Sequence, residues 1–172
     1  VKRLTALLAL CAALHPFTAR AEGLADHVKR IDPPHILPPL VFEDERGNQH
    51  ALSDYHGRYV LLNIWASWCT PCVAEMPSLD ALQGKIDKNK LTVLPVSEER
   101  GDQSADVFYS QHKIKRLPVA YDHAGTAPSA LHLHGIPTTI LIDPQGREIA
   151  RVEGDIDWSA DETLTFLNAQ MR

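Results

Sequence analysis

The amino-acid sequence predicts an α/β fold: a central sheet of mixed strand directions flanked by helices, extended at its N-terminal end by a β-hairpin. Three observations lead there. Apolar runs of strand length alternate with stretches of helical period. The chain closes on two strand-like segments joined by the turn Asp143-Pro144-Gln145-Gly146, followed by a last helix. Finally, 172 residues, 44% of them apolar and 23% charged, fit one domain with a substantial core.

The elements follow in order. Residues 40–42 and 49–52 flank Asp44-Glu45-Arg46-Gly47-Asn48 and read as the short hairpin. Residues 59–65 are apolar except for Asn63, as in a strand buried on both faces. A helix is expected over about 71–87, where Met76, Leu79, Leu82 and Ile86 recur at helical spacing, with a kink at Pro77. Residues 91–96 form the next buried strand, 104–112 a helix, 117–121 a strand and 127–134 a short helix. Residues 138–142 and 148–153 make the closing hairpin, and a helix capped by Ser159 runs to about residue 170.

The N-terminal end reads differently. Basic Lys2 and Arg3, an apolar run from Leu4 to Leu14 and then Ala19-Arg20-Ala21 have the layout of an export signal, residues 1–21, cleaved after Ala21. The alternative is an uncleaved anchor, although the run falls short of the roughly 20 residues that span a bilayer. Cys11 invites a lipoprotein reading, which Leu10 before it argues against. Residues 22–39 contain Pro33, Pro34, Pro38 and Pro39 and read as an extended linker or wrapping arm, leaving 40–172 as the folded domain. Removal of the leader takes Lys2, Arg3 and Arg20 but no acid, so the formal charge goes from -5 to -8. A chain so acidic has no means of displacing counterions from phosphates, which excludes nucleic acid as a partner. Cleavage also removes Cys11 and leaves two cysteines.

These two, Cys69 and Cys72, stand where a buried strand hands over to a helix. Three residues apart on a helix, their sulfurs share a face and can close a disulfide. Cys69, at the helix N-terminus, meets the positive end of the helix dipole, which stabilises a thiolate and makes it the nucleophile. Cys72, one turn in and more enclosed, is placed to attack a mixed disulfide on Cys69. Pro71 suits the first helical turn, where its missing N–H has no partner to lose. The residues also admit half of a zinc or copper site completed by His132 and His134, or a structural disulfide. Haem attachment would need His after Cys72, where Val73 stands.

The string Asn63-Ile64-Trp65-Ala66-Ser67-Trp68-Cys69-Thr70-Pro71-Cys72, followed by Glu75-Met76-Pro77, resembles the TlpA/ResA branch of thioredoxin-like proteins. So does Gly135-Ile136-Pro137-Thr138-Thr139 followed by Leu141-Ile142-Asp143-Pro144-Gln145-Gly146. Both motifs occur in the family's order, over a resemblance running from about Leu40 to the C-terminus. Element order alone also admits a flavodoxin-like arrangement, which the terminal hairpin disfavours. The resemblance implies a thioredoxin-like fold and a periplasmic thiol:disulfide oxidoreductase, monomeric, whose only redox group is the Cys69–Cys72 pair. It implies that Pro137 is a cis-proline facing the disulfide, with Ile136 offering backbone groups to a client and Thr138 opening the next strand. Asn63 stands where classical thioredoxins carry a buried proton-shuttling aspartate; the resemblance assigns proton transfer to Glu75, whose alternative is a solvated helix residue. Trp65 and Trp68 are expected to shield the cysteines. The implied partners are protein clients with disulfides, either copper-site assembly proteins or apocytochrome c, and a membrane reductant of the DsbD or CcdA kind. Glu75-Met76-Pro77-Ser78-Leu79 with Leu82-Gln83-Gly84, and near the end Glu153-Gly154 with Trp158, bring the sequence nearest to the TlpA type, which favours copper-centre assembly over haem attachment. A DsbA-like oxidant is disfavoured by Thr70-Pro71, since that class places His between its cysteines, and a metal chaperone using the two thiolates is the alternative from another class.

Overall fold

The computed structural model describes residues 24–99 and 104–171; the export signal read at 1–21 and its cleavage point lie outside the described residues. In chain order the elements are α1 (Leu24–His27), β1 (Val28–Ile36), β2 (Val41–Asp44), β3 (Gln49–Ala51), β4 (Tyr59–Trp65), α2 (Thr70–Lys85), β5 (Leu91–Ser97), α3 (Ala105–His112), β6 (Ala120–Tyr121), α4 (Ala127–Ala130), β7 (Thr138–Ile142), β8 (Arg147–Glu153) and α5 (Asp161–Gln170). Among the described residues the strands form one sheet in the order β1-β8-β7-β4-β5-β6-β2-β3. β4 pairs parallel with β5 and antiparallel with β7, so the expected mixed sheet is present. No helix among the described residues is long and apolar enough to cross a membrane.

β4 lies at the centre and its side chains alternate between two cores. Val60, Leu62 and Ile64 join Leu94, Val96, Ile140 and Ile142 on one face. Leu61 and Trp65 join Met76, Leu79, Leu82 and Trp158 on the other, the face that α2 covers. The same alternation puts Asn63, fully buried, on the α2 side. The buried residues of α2 are Cys72, Glu75, Met76, Leu79, Asp80, Leu82 and Gln83, a stripe at three- and four-residue spacing. Helical structure is continuous through Pro77.

The proline-rich arm departs from expectation. It is a packed edge strand, β1, antiparallel to β8 from Val28 opposite Val152 to Ile36 opposite Arg147, so the sheet begins at Val28 and not at residue 40. Its prolines are tolerated because Pro33 and Pro34 fall in the register shift between Arg30 and His35, where no ladder N–H is required. Three smaller corrections share a cause in local backbone chemistry. The strand expected over 117–121 shrinks to Ala120–Tyr121, because Pro118 has no N–H to donate and its carbonyl accepts instead from the Tyr109 hydroxyl at 3.1 Å. α4 stops at Ala130, and His132 beyond it has φ +50°. α5 is capped by Ala160, since Ser159 turns back so that its N–H and hydroxyl both donate to Asp157 Oδ1.

One buried acid ties α2 to the loop before β6. Asp80 accepts from the backbone N–H groups of Arg116 at 2.6 Å and Lys115 at 2.9 Å, and from the Arg116 guanidinium at 2.8 Å. Burial pushes its carboxyl up, but these donors outweigh burial and hold it below the usual 3.8. Asp80→Ala leaves two backbone donors without an acceptor and is expected to cost about 2 kcal/mol in urea unfolding at neutral pH. The difference should fade as pH falls below the usual carboxylate range, where Asp80 protonates in the parent as well.

Candidate active site

The site forms where β4 ends and α2 begins. Cys69 is the N-cap of α2 in an extended conformation (φ -93°, ψ 105°), and its Sγ accepts from the Cys72 backbone N–H at 3.3 Å. The sulfur thus does the work of an N-cap oxygen, meeting an N–H that the helix itself cannot bond. Pro71 falls in the first turn, where its missing N–H forfeits no intrahelical bond. The two cysteines are joined in a disulfide with Cα atoms 5.2 Å apart. Cys72 is fully buried; Cys69 retains 6% exposure, so the first cysteine is more enclosed than its helix-terminal position suggests.

A second segment closes over it. The Ile136–Pro137 peptide bond is cis. The Ile136 carbonyl oxygen lies 3.6 Å from Cys69 Sγ. This turn is held on both sides: the Thr138 hydroxyl donates to the Gly135 carbonyl at 2.7 Å, and the Gly154 N–H donates to the Pro137 carbonyl at 3.0 Å. The two tryptophans separate. Trp68, beside the disulfide in sequence, is 46% exposed, whereas Trp65 is core, its ring 5.1 Å from Phe108 and 5.8 Å from Tyr109.

Beneath Cys72, Glu75 is only 2% exposed, which removes the solvated-helix reading. Its Oε1 accepts from Asn63 Nδ2 at 2.7 Å and its Oε2 from Trp158 Nε1 at 3.0 Å. Asn63 Nδ2 also donates to Thr139 Oγ1 at 2.9 Å, so the network joins β4, β7, α2 and the segment before α5. Burial pushes the Glu75 carboxyl up to about 7, against the lowering effect of the Trp158, Asn63 and Ile156 donors; the nearby Asp155 charge adds to the rise. Such a group changes protonation near neutrality. Glu75 also borders a surface cleft of about 440 Å³ shared with Asp155, Ile156 and Asp157.

Sequence reasoning does not identify Trp158 as a partner of Glu75, although the spacing of Glu75 with Cys72, Met76 and Leu79 carries the signal that it faces inward. His134 pairs with Glu153 at 3.0 Å, and among the described residues no group of three or more His, Cys, Asp or Glu side chains is arranged to hold a metal ion.

Comparison with known proteins places the chain among thiol-disulfide oxidoreductases. The model of the AhpC/TSA family matches residues 34–149. The chain is 30% identical over 153 residues to the thiol-disulfide oxidoreductase ResA of Bacillus thuringiensis subsp. konkukian, covering 89% of this chain and 87% of that protein. It is 34% identical over 109 residues to the ResA of Geobacillus kaustophilus, 63% of this chain and 62% of the other. Among solved structures it resembles a putative thiol:disulfide interchange protein DsbE from Chlorobium tepidum, with a TM-score of 0.72 and 27% identity over 83% of this chain and 99% of that one. The chain belongs to the AhpC/TSA family, has the thioredoxin-like fold, and is a thiol-disulfide oxidoreductase of the ResA and DsbE type.

Proposed function

We propose that this oxidoreductase works in the periplasm as a reductant of protein disulfides, serving assembly of the copper centre of a terminal oxidase and, as the second candidate client, apocytochrome c. The observation that carries the direction of attack is the asymmetry of the pair: Cys69 caps α2 and keeps some exposure, while Cys72 is fully buried. In the reduced protein the Cys69 thiolate attacks one sulfur of a client disulfide; that S–S bond breaks and the first client thiolate leaves. Cys72 then loses its proton and attacks Cys69 Sγ, the mixed disulfide breaks and the second client thiolate departs. Two electrons pass from the protein dithiol to the client, and the Cys69–Cys72 pair itself carries them. Glu75 takes the Cys72 proton. Ile136, Pro137 and Thr138 fix the backbone against which the client lies, Trp68 and Pro71 flank the sulfurs, and a membrane dithiol of the DsbD or CcdA kind restores the reduced state.

The placement in the periplasm rests on the leader-like residues 1–21, and the choice of copper-centre clients on the TlpA-like residues Glu75-Met76-Pro77 and Glu153-Gly154 with Trp158. Equilibration with glutathione tests the direction of electron flow. A reductant is expected to have a midpoint potential near or below about -200 mV, and a value close to the roughly -120 mV of strong oxidants would contradict the proposal.

A further inference from the structure

The loop that carries Cys69 is tied down from outside the cysteine pair. Between β4 and α2 run Ala66, Ser67 and Trp68, closed by the Cys69 N–H donating to the Ala66 carbonyl at 3.1 Å. Just past the end of β5 stands Glu99. Its Oε1 accepts from the Ser67 backbone N–H at 2.8 Å, its Oε2 accepts from the Ser67 hydroxyl at 2.9 Å, and the Ser97 hydroxyl donates to Oε1 at 3.0 Å. The backbone beside it is anchored as well, since the Glu98 N–H donates to the Trp65 carbonyl at 2.8 Å.

One carboxylate thus takes both donors of Ser67, two residues before the reactive sulfur, and a third from β5. Charge-assisted bonds of this kind are shorter and stronger than neutral ones, and a two-pronged pair fixes orientation as well as distance. This loop sets where Cys69 Sγ sits relative to the helix end and to Ile136, and exchange between sulfurs tolerates little misplacement. The clamp also holds a carboxylate against Ser67, two residues before a sulfur that reacts as an anion, so that its charge opposes the helix dipole.

We infer that Glu99 is a positioning residue of the redox centre: by clamping Ser67 it holds Cys69 in place as the cap of α2, and its charge tempers the reactivity of the Cys69 sulfur. The inference rests on the reading of Cys69 as nucleophile. Other ionisable groups around this end of the sheet are Glu75 on α2, Glu98 after β5, Asp122 after β6, whose N–H donates to the Ser97 carbonyl, and His112 on α3, which borders the same cleft as Ser67. All of them are common to the parent and the variants below.

The test is the pH profile of Cys69 alkylation in the reduced full-length protein, with the modified cysteine identified by mass spectrometry, together with the rate of insulin reduction. Glu99→Gln keeps the size and an acceptor but not the charge. It is expected to lower the alkylation midpoint by about half a pH unit, the scale of one charge removed from a partly solvated loop, with insulin reduction within about twofold of the parent. Glu99→Ala removes the clamp too and is expected to lower insulin reduction about tenfold. A Glu99→Gln midpoint equal to the parent's overturns the inference, and it decides alone if Glu99→Ala does not fold. If the parent itself is alkylated first at Cys72, the nucleophile reading fails and this inference fails with it; labelling at Cys69 with unchanged variant profiles leaves that reading intact and removes only the role of Glu99.

Discussion

Glu75→Gln is expected to slow the step in which Cys72 resolves the mixed disulfide by about a hundredfold at neutral pH, the usual scale for a well-placed general base. The argument is one of position and protonation. Glu75 follows Cys72 by one helical turn, is held by Asn63 and Trp158, and titrates at about 7 because burial disfavours its charged form. In the parent the resolving rate should rise as pH passes through about 7, where the carboxylate becomes able to take the thiol proton, and then level off. Glutamine occupies nearly the same volume but accepts no proton, so its rate should climb only as Cys72 itself ionises. Stopped-flow decay of a preformed mixed disulfide between pH 5 and 9 reads both profiles. Superimposable curves would reduce Glu75 to a structural residue.

The same buried carboxyl leaves an equilibrium signature in the disulfide form, where the thiols do not titrate. A folded-state value of about 7 against 4.5 in the unfolded chain means that, between those limits, the folded protein holds a proton the unfolded chain has released. Stability therefore falls as pH rises through this window, by about 3 kcal/mol in all, and is flat beyond it. Denaturant titrations of the oxidised parent should show that loss between about pH 4 and 8. In Glu75→Gln the loss should be absent.

Much of this arrangement is legible in the sequence, for reasons that differ from residue to residue. β4, β5 and β7 announce themselves as mostly apolar runs, broken only by single residues such as Asn63 or by Thr and Ser at strand ends, because both faces of the sheet are covered. β1 hides because the prolines that mark a linker are equally at home on an edge strand with a register shift. The inward aim of Glu75 follows from helical period, and alternation along β4 sends Asn63 to the same face; their contact is then a matter of depth, which periodicity does not report. Trp158 meets Glu75 from 83 positions away, through a loop with no pattern of its own. The cis bond before Pro137 came from resemblance to known relatives, since the residues around it read locally as an ordinary turn. The clamp of Glu99 on Ser67 joins two commonplace residues 32 positions apart and leaves no local trace.

The central claim is that Cys69 attacks and Cys72 resolves, and a trapping experiment in the compartment proposed for it, the periplasm, addresses it most directly. With Cys72→Ser, the Cys69 thiolate can still open a client disulfide, but no second thiol remains to break the mixed disulfide, so the intermediate should persist for minutes to hours. Covalent complexes that dithiothreitol releases should therefore accumulate, abundantly compared with the parent, and they should vanish when Cys69→Ser is added. Mass spectrometry of the trapped partners then distinguishes copper-site assembly proteins from apocytochrome c. Covalent complexes that form in Cys69→Ser through Cys72, or that survive in the double variant, would contradict the account.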